Sequence, residues 1–143
     1  MKNSFSLFEL IIVLVILSIL AAFALNKYLD STNYANKVKI KTQIALIRNS
    51  IEKLNSENIL KNISNPILLD SAKVDEVNTK LFKNILEFPL ISTSSEKKEL
   101  GKWIKTSSNS YKIYFNSDEY LEFKYKNSLF KCLNSKKLCE EFE

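Results

Sequence analysis

Residues 5–25, FSLFELIIVLVILSILAAFAL, constrain this chain more than any other stretch. The run is apolar except for one carboxylate, Glu9, and small or hydroxyl residues such as Ser6, Ser18 and the alanines, all of which a helix absorbs. A helix of that length rises about 1.5 Å per residue and spans roughly 30 Å, the thickness of a bilayer's hydrocarbon core. Only four residues precede it, and no other stretch is as apolar for as long. The rest of the chain reads as an arm and a head carried by this segment.

The arm follows directly. From Asn26 the pattern turns amphipathic: Ile40, Ile44, Ile47, Ile51 and Leu54 recur at alternating spacings of four and three, which is one helical face. Lys37, Lys39, Lys41, Arg48, Glu52 and Lys53 fall largely elsewhere. No glycine or proline interrupts residues 5–65, so one helix of about 50–55 residues, on the order of 80 Å, is expected. Its second half would back the head. A coiled-coil seam is the alternative for that stripe, but three apolar turns are short for a zipper. The polar stretch Asn62-Ile63-Ser64-Asn65-Pro66 closes the arm, with Pro66 biasing Asn65 away from helical angles.

Charge and cysteines narrow the setting. The net charge is +5, from 21 basic against 16 acidic residues, and Arg48 is the only arginine. The lysines are scattered, whereas specific nucleic-acid sites cluster Lys and Arg, so a solvated lysine surface is the expectation. There is no histidine, so Cys132 and Cys139 would be short of partners for a zinc site. A disulfide between them fits better, and it implies an oxidising compartment.

Four readings of the first segment compete. A secretory signal cut near Ala22-Phe23-Ala24 is one, although Glu9 stands where such signals are apolar. A plain membrane anchor is the second, and it must place Glu9 at the interface or give it a partner, because a charge in hydrocarbon costs about 2.5–3.5 kcal/mol. A buried core helix is the third, with few residues left to bury it. The fourth comes from Ser4-Phe5-Ser6-Leu7-Phe8-Glu9-Leu10 running straight into the apolar stretch, which resembles the N-terminal signature of type IV pilins and type II secretion pseudopilins.

That resemblance, specific over about 25 residues, implies a leader of residues 1–4, cleavage between Ser4 and Phe5 by a prepilin peptidase, and N-methylation of Phe5. Glu9 takes the place of the family's glutamate. In a stack of parallel, axially offset helices its carboxylate would meet the free α-amino group of Phe5 in a neighbour and set the register; both groups are costly to bury unpaired. An interfacial Glu9 favoured by the helix dipole is the plainer alternative. The chain departs from the family in having Ser4 where glycine usually precedes the cut. It also lacks the proline that many pilins carry near the end of the apolar run, so a less sharply bent helix is expected.

The head is expected to be α+β: a small antiparallel meander packed on the amphipathic half of the helix. Ser71 would cap a short helix over residues 72–86, with Leu81, Phe82, Ile85 and Leu86 on its apolar side. Residues 91–102, containing STSSEKKE and the only glycine, Gly101, read as an exposed loop. Residues 102–105 read as a short strand, 111–115 and 120–125 alternate partly at period two and are rich in aromatics, and 129–132 would be a further strand. Residues 116–119 and 126–128 would be the turns. The expected layout is a leader at 1–4, a transmembrane and polymerisation helix at 5–26, its amphipathic half at 27–62, and a head at 63–143 with three to four strands and a C-terminal cysteine loop.

Catalytic constellations do not emerge. With no histidine and one glycine, no nucleophilic triad, Cys-His pair, phosphate loop or dinucleotide fingerprint can be assembled, so a non-enzymatic protein without cofactor is expected. Asn116, Asp118 and Glu119 offer oxygens where major pseudopilins hold calcium, but a plain turn is the better reading and no metal is expected. Tyr111, Tyr114, Phe115, Tyr120, Phe123 and Tyr125 could stack bases, as a DNA-uptake pilin would require, yet cross-strand packing suits them better. The resemblance implies a structural subunit of a type IV pilus, a secretion pseudopilus or a DNA-uptake filament. Its partners would be itself and other pilin-like subunits, the peptidase and methyltransferase, an inner-membrane assembly platform, and lipid before assembly. Its place would be the bacterial inner membrane, single-pass with the head in the periplasm, or outside the cell once in a pilus. The competing class is an anchored or secreted periplasmic binding domain.

Overall fold

The computed structural model describes residues 7–143. Its first element, α1, is an α-helix over Leu7–Leu60 of 54 residues. The chain divides into two compact units, Met1–Ala35 and Asn36–Glu143. In the first, Leu7–Leu25 averages a hydropathy of 2.9 and none of it is buried. In the second, the α1 residues Ile40, Ile44, Ile47 and Ile51 are buried at the predicted spacing, with Leu54 half-buried.

The end of α1 has a local cause. Asn62 takes a left-handed φ of 54°. Ile63 N–H donates to Asn58 O at 2.8 Å and Asn62 N–H to Ile59 O at 3.1 Å, the paired bonds of a Schellman stop. Asparagine tolerates this conformation, so the helix ends before Pro66 is reached.

Four strands form one antiparallel meander in chain order: β3 (Trp103–Ser107), β4 (Ser110–Tyr114), β5 (Tyr120–Lys126) and β6 (Leu129–Cys132). The pairs Trp103 with Ile113 and Ile113 with Leu121 put large side chains in line across three strands. Tyr111 opposite Phe123 and Tyr125 opposite Phe130 continue the same buried face. These residues and the α1 isoleucines make one core, in which the Phe123 and Phe130 rings stack at 4.9 Å. The fold is α+β, a long helix followed by an antiparallel head.

Three expectations need correction. Residues 72–86 do not form a helix; the region holds turns and β1 (Lys80–Leu81), which pairs with β2 (Leu90–Ile91). Asp75, Asn78 and Phe82 all have positive φ, which no right-handed helix accommodates. Asp70, not Ser71, supplies the local side-chain acceptor, taking the Ala72 N–H at 3.1 Å. Phe82 at φ 58° is a costly conformation for a bulky residue. It is held by its N–H donating to Asp70 and by its ring lying 4.6 Å from Tyr111 and 5.6 Å from Trp103.

Residues 91–102 are not a uniformly exposed loop. Ser92, Thr93 and Ser94 are buried. Thr93 N–H donates to Trp103 O and Asp75 N–H to Lys105 O, both at 2.9 Å, so this segment closes the free edge of β3. Gly101 is buried at φ 70°, a left-handed value that explains the one glycine, and its N–H donates to Tyr114 O. The last concerns the C-terminal stretch, expected only as a cysteine loop. It forms α2 (Lys136–Glu141), capped by the Ser135 hydroxyl, and sinks Phe142 into the core 4.9 Å from Phe115.

Candidate functional site

The site singled out by the sequence begins at the start of α1. Ser4 and Phe5 lie outside the described residues. Glu9 stands in the first turn of α1, exposed, and is the only acidic residue of that turn. Around it every residue of Leu7–Leu25 faces out, including Phe8, Leu14, Leu17 and Phe23. The Ser18 hydroxyl is not a break in this surface, because it donates back to Leu14 O at 2.7 Å and so needs no outside partner. An all-round apolar helix with nothing of its own unit covering it needs a lipid or protein environment.

Residues 1–25 match the prokaryotic N-terminal methylation motif. That motif is the signature of type IV pilins and pseudopilins, and it marks a type IV pilin-like substrate of a prepilin peptidase. The motif and the apolar helix together fit the N-terminus of a membrane-anchored pilin. No curated protein and no solved structure matches the chain. The pilin-like family is typically non-enzymatic and assembles with other pilin subunits.

In the head, the chain holds a buried ionic centre that sequence reading missed. Asp70 Oδ1 accepts from Lys105 Nζ at 2.7 Å and Asp70 Oδ2 accepts from the Tyr111 hydroxyl at 2.8 Å. The Phe82 N–H donates to Oδ2 and the Ala72 N–H to Oδ1, both at 3.1 Å. The side chains of Asp70 and Lys105 are 0 % and 6 % exposed. Burial, with the Asp70 carboxylate beside it, pushes the Tyr111 phenol far above its usual range. Lys105 also donates to Ala72 O at 3.0 Å, so two of its three protons are placed. The available signal was phase: Lys105 lies two residues after Trp103 on one strand and therefore shares its inward face. Asp70 carried no comparable signal.

Near the C-terminus Cys132 and Cys139 are joined by a disulfide. Asn134, between them, ties this loop to β5: its Oδ1 accepts the Glu122 N–H at 2.7 Å and its Nδ2 donates to Tyr120 O at 3.0 Å. Carboxylates on either side of Phe142 then reach α1, Glu141 to Lys37 and Glu143 to Arg48, each at 2.6 Å. The hydrogen bond from Lys37 holds the Glu141 carboxyl below its ordinary pKa.

Of the oxygens considered for calcium, those of Asn116 and Glu119 are engaged in a turn. Phe115 N–H and Asn116 N–H donate to Glu119 O, and Asn116 Nδ2 donates to Glu119 Oε2 at 3.3 Å. Among the described residues no group of three or more His, Cys, Asp or Glu side chains converges on a metal position. Of the aromatics, Tyr111, Tyr114, Phe115, Phe123 and Tyr125 are buried, and Tyr120 is half-buried beneath Lys112 Nζ at 4.1 Å from its ring. They pack the sheet and its edges.

Proposed function

We propose that this chain is a non-enzymatic structural subunit of a type IV pilus, a type II secretion pseudopilus or a DNA-uptake filament. The observation that carries the reading is the methylation motif at residues 1–25 running into a helix whose apolar first part is fully exposed within its unit. Such a surface is covered by lipid before assembly and by the helices of neighbouring subunits afterwards. On this reading residues 1–4 are the leader, 5–26 the membrane and polymerisation segment, 27–62 the amphipathic continuation and 63–143 the head. The peptidase cuts between Ser4 and Phe5, Phe5 is N-methylated, and Glu9 sets register against the new α-amino group of an adjacent subunit. The chain waits in the inner membrane with its head, disulfide included, in the periplasm, and leaves the cell if its filament does.

The test is the mass of the native N-terminal peptide and the fate of Glu9→Val. A peptide beginning at methylated Phe5 is expected, with Glu9→Val inserting normally but failing to enter filaments. An N-terminus at Leu25 or at Met1 would instead favour an anchored or secreted binding domain. Normal assembly of Glu9→Val would refute the register role alone.

A further inference from the structure

The four-stranded sheet packs one face on the α1 isoleucines. Alternation along the strands sends every second residue to the other face. There Lys112 stands opposite Glu122, Lys124 opposite Lys131, and Lys126 opposite Leu129. In the sequence these four lysines are scattered over residues 112–131; the meander gathers them on one surface. Lys124, Lys126 and Lys131 are exposed, and Lys112 is half-buried.

Two observations set this face apart. Elsewhere in the head Lys37, Arg48, Lys102 and Lys105 each reach a carboxylate at 2.5–2.7 Å. Among the described residues, no carboxylate pairs with any of the four sheet lysines. Lys124 and Lys131 are, moreover, a direct cross-strand pair of like charge, which destabilises a sheet on its own. A bound anion relieves that repulsion. Direct cross-strand neighbours lie about 5 Å apart and diagonal ones about 7–8 Å, so the lysines form a track of closely stepped positive charge.

The remainder of the face selects the occupant. Its exposed apolar side chains, Leu129 and Leu133, stand at the margin, on or just past the last strand. Tyr114 is buried, and Tyr120 is half-buried beneath Lys112. A protein partner needs an apolar centre to its interface, and a bilayer surface needs apolar side chains to insert. A phosphate backbone needs only charge. We propose that this face binds single-stranded nucleic acid through its phosphates, without sequence preference. Lysines contact phosphates here, and no arginine or open ring is present on the face to read or stack bases. A flexible strand can lay phosphates on all four lysines, whereas a rigid duplex touches a flat face along one line. Of the filaments named above this favours the DNA-uptake one. The surface lies in the head, so a failed N-terminal peptide test leaves the proposal standing.

The probe is a fluorescein-labelled single-stranded oligonucleotide of mixed sequence, titrated by polarisation against the full chain in uncharged detergent. Three to four phosphate contacts give a slope of log affinity against log salt of about −2 to −3, a fall of about 20- to 50-fold between 50 and 200 mM. Lys124→Gln with Lys131→Gln should weaken binding and flatten the slope by about 1.4. The melt of that double variant, followed at Trp103, should be no lower than that of the wild type, because a repulsive pair has been removed. Lys41→Gln with Lys53→Gln, exposed on α1 and equal in charge, should leave the slope unchanged. Four results would each overturn the proposal: no binding at 50 mM salt, an unchanged slope in the sheet variant, an equal loss in the α1 variant, or displacement by an equal charge of polyglutamate or phosphatidylglycerol micelles.

Discussion

Replacing Asp70 by alanine is the most informative single change in the head. Four donors converge on its carboxylate: Lys105 Nζ, the Tyr111 hydroxyl and the N–H groups of Phe82 and Ala72. Alanine leaves the Lys105 ammonium buried with only Ala72 O to accept from it. Removing one partner of a buried pair costs about 3–5 kcal/mol, chiefly through the charge left behind. The Phe82 N–H also loses the acceptor that helps hold its positive φ, so the upper half of that range is expected. For a unit of roughly a hundred residues this lowers Tm by about 15–25 °C. Trp103 is the only tryptophan and is fully buried, so its emission in the full-length chain in detergent reports unfolding of the head directly. The decisive measurement is the cycle with Lys105→Met. If the uncompensated ammonium is the main cost, Asp70→Ala in the Lys105→Met background costs about 1–3 kcal/mol less than in the wild type. An Asp70→Ala cost below about 1 kcal/mol, or strict additivity of the two changes, would refute the account of this centre.

Two further predictions concern the same head. The Tyr111 phenol is held protonated in the folded chain, so its folded pKa lies above the unfolded value of about 10. Its contribution is fully present below pH 10 and is lost as pH rises from there toward the folded pKa; Tyr111→Phe should flatten this alkaline loss in Trp103-monitored melts, and an unchanged slope would count against it. Asn62→Gly should leave stability nearly unchanged, whereas Asn62→Val should cost about 1–2 kcal/mol because a β-branched residue resists the left-handed stop of α1; equal melting of the two variants would sink that reading.

Much of the architecture was legible in local pattern. The absence of glycine and proline over residues 5–65 forecast α1, and the three–four spacing of isoleucines forecast the face it buries. Period two and short polar turns forecast β4, β5 and β6, because hairpin register is a nearest-neighbour property. The region between helix and sheet was misread because its conformation answers to distant residues. Leu81, Phe82, Ile85 and Leu86 have helical spacing, yet Phe82 turns left-handed to put its ring against Trp103 and Tyr111 and its N–H on Asp70. Ser92 to Ser94 look like loop residues and are buried because they cover the β3 edge.

The sequence by itself determined the N-terminal character of this protein: the methylation motif, Glu9 at the head of the apolar run, and a helix that owes nothing to the head for its apolar surface. These are properties of consecutive residues, where composition and the 3.6-residue period suffice. Only the tertiary structure decided how the head is locked. Asp70 and Lys105 are 35 residues apart, and Arg48 and Glu143 are 95 apart. Neither pairing has a sequence period, because each is fixed by which elements the hydrophobic core brings side by side.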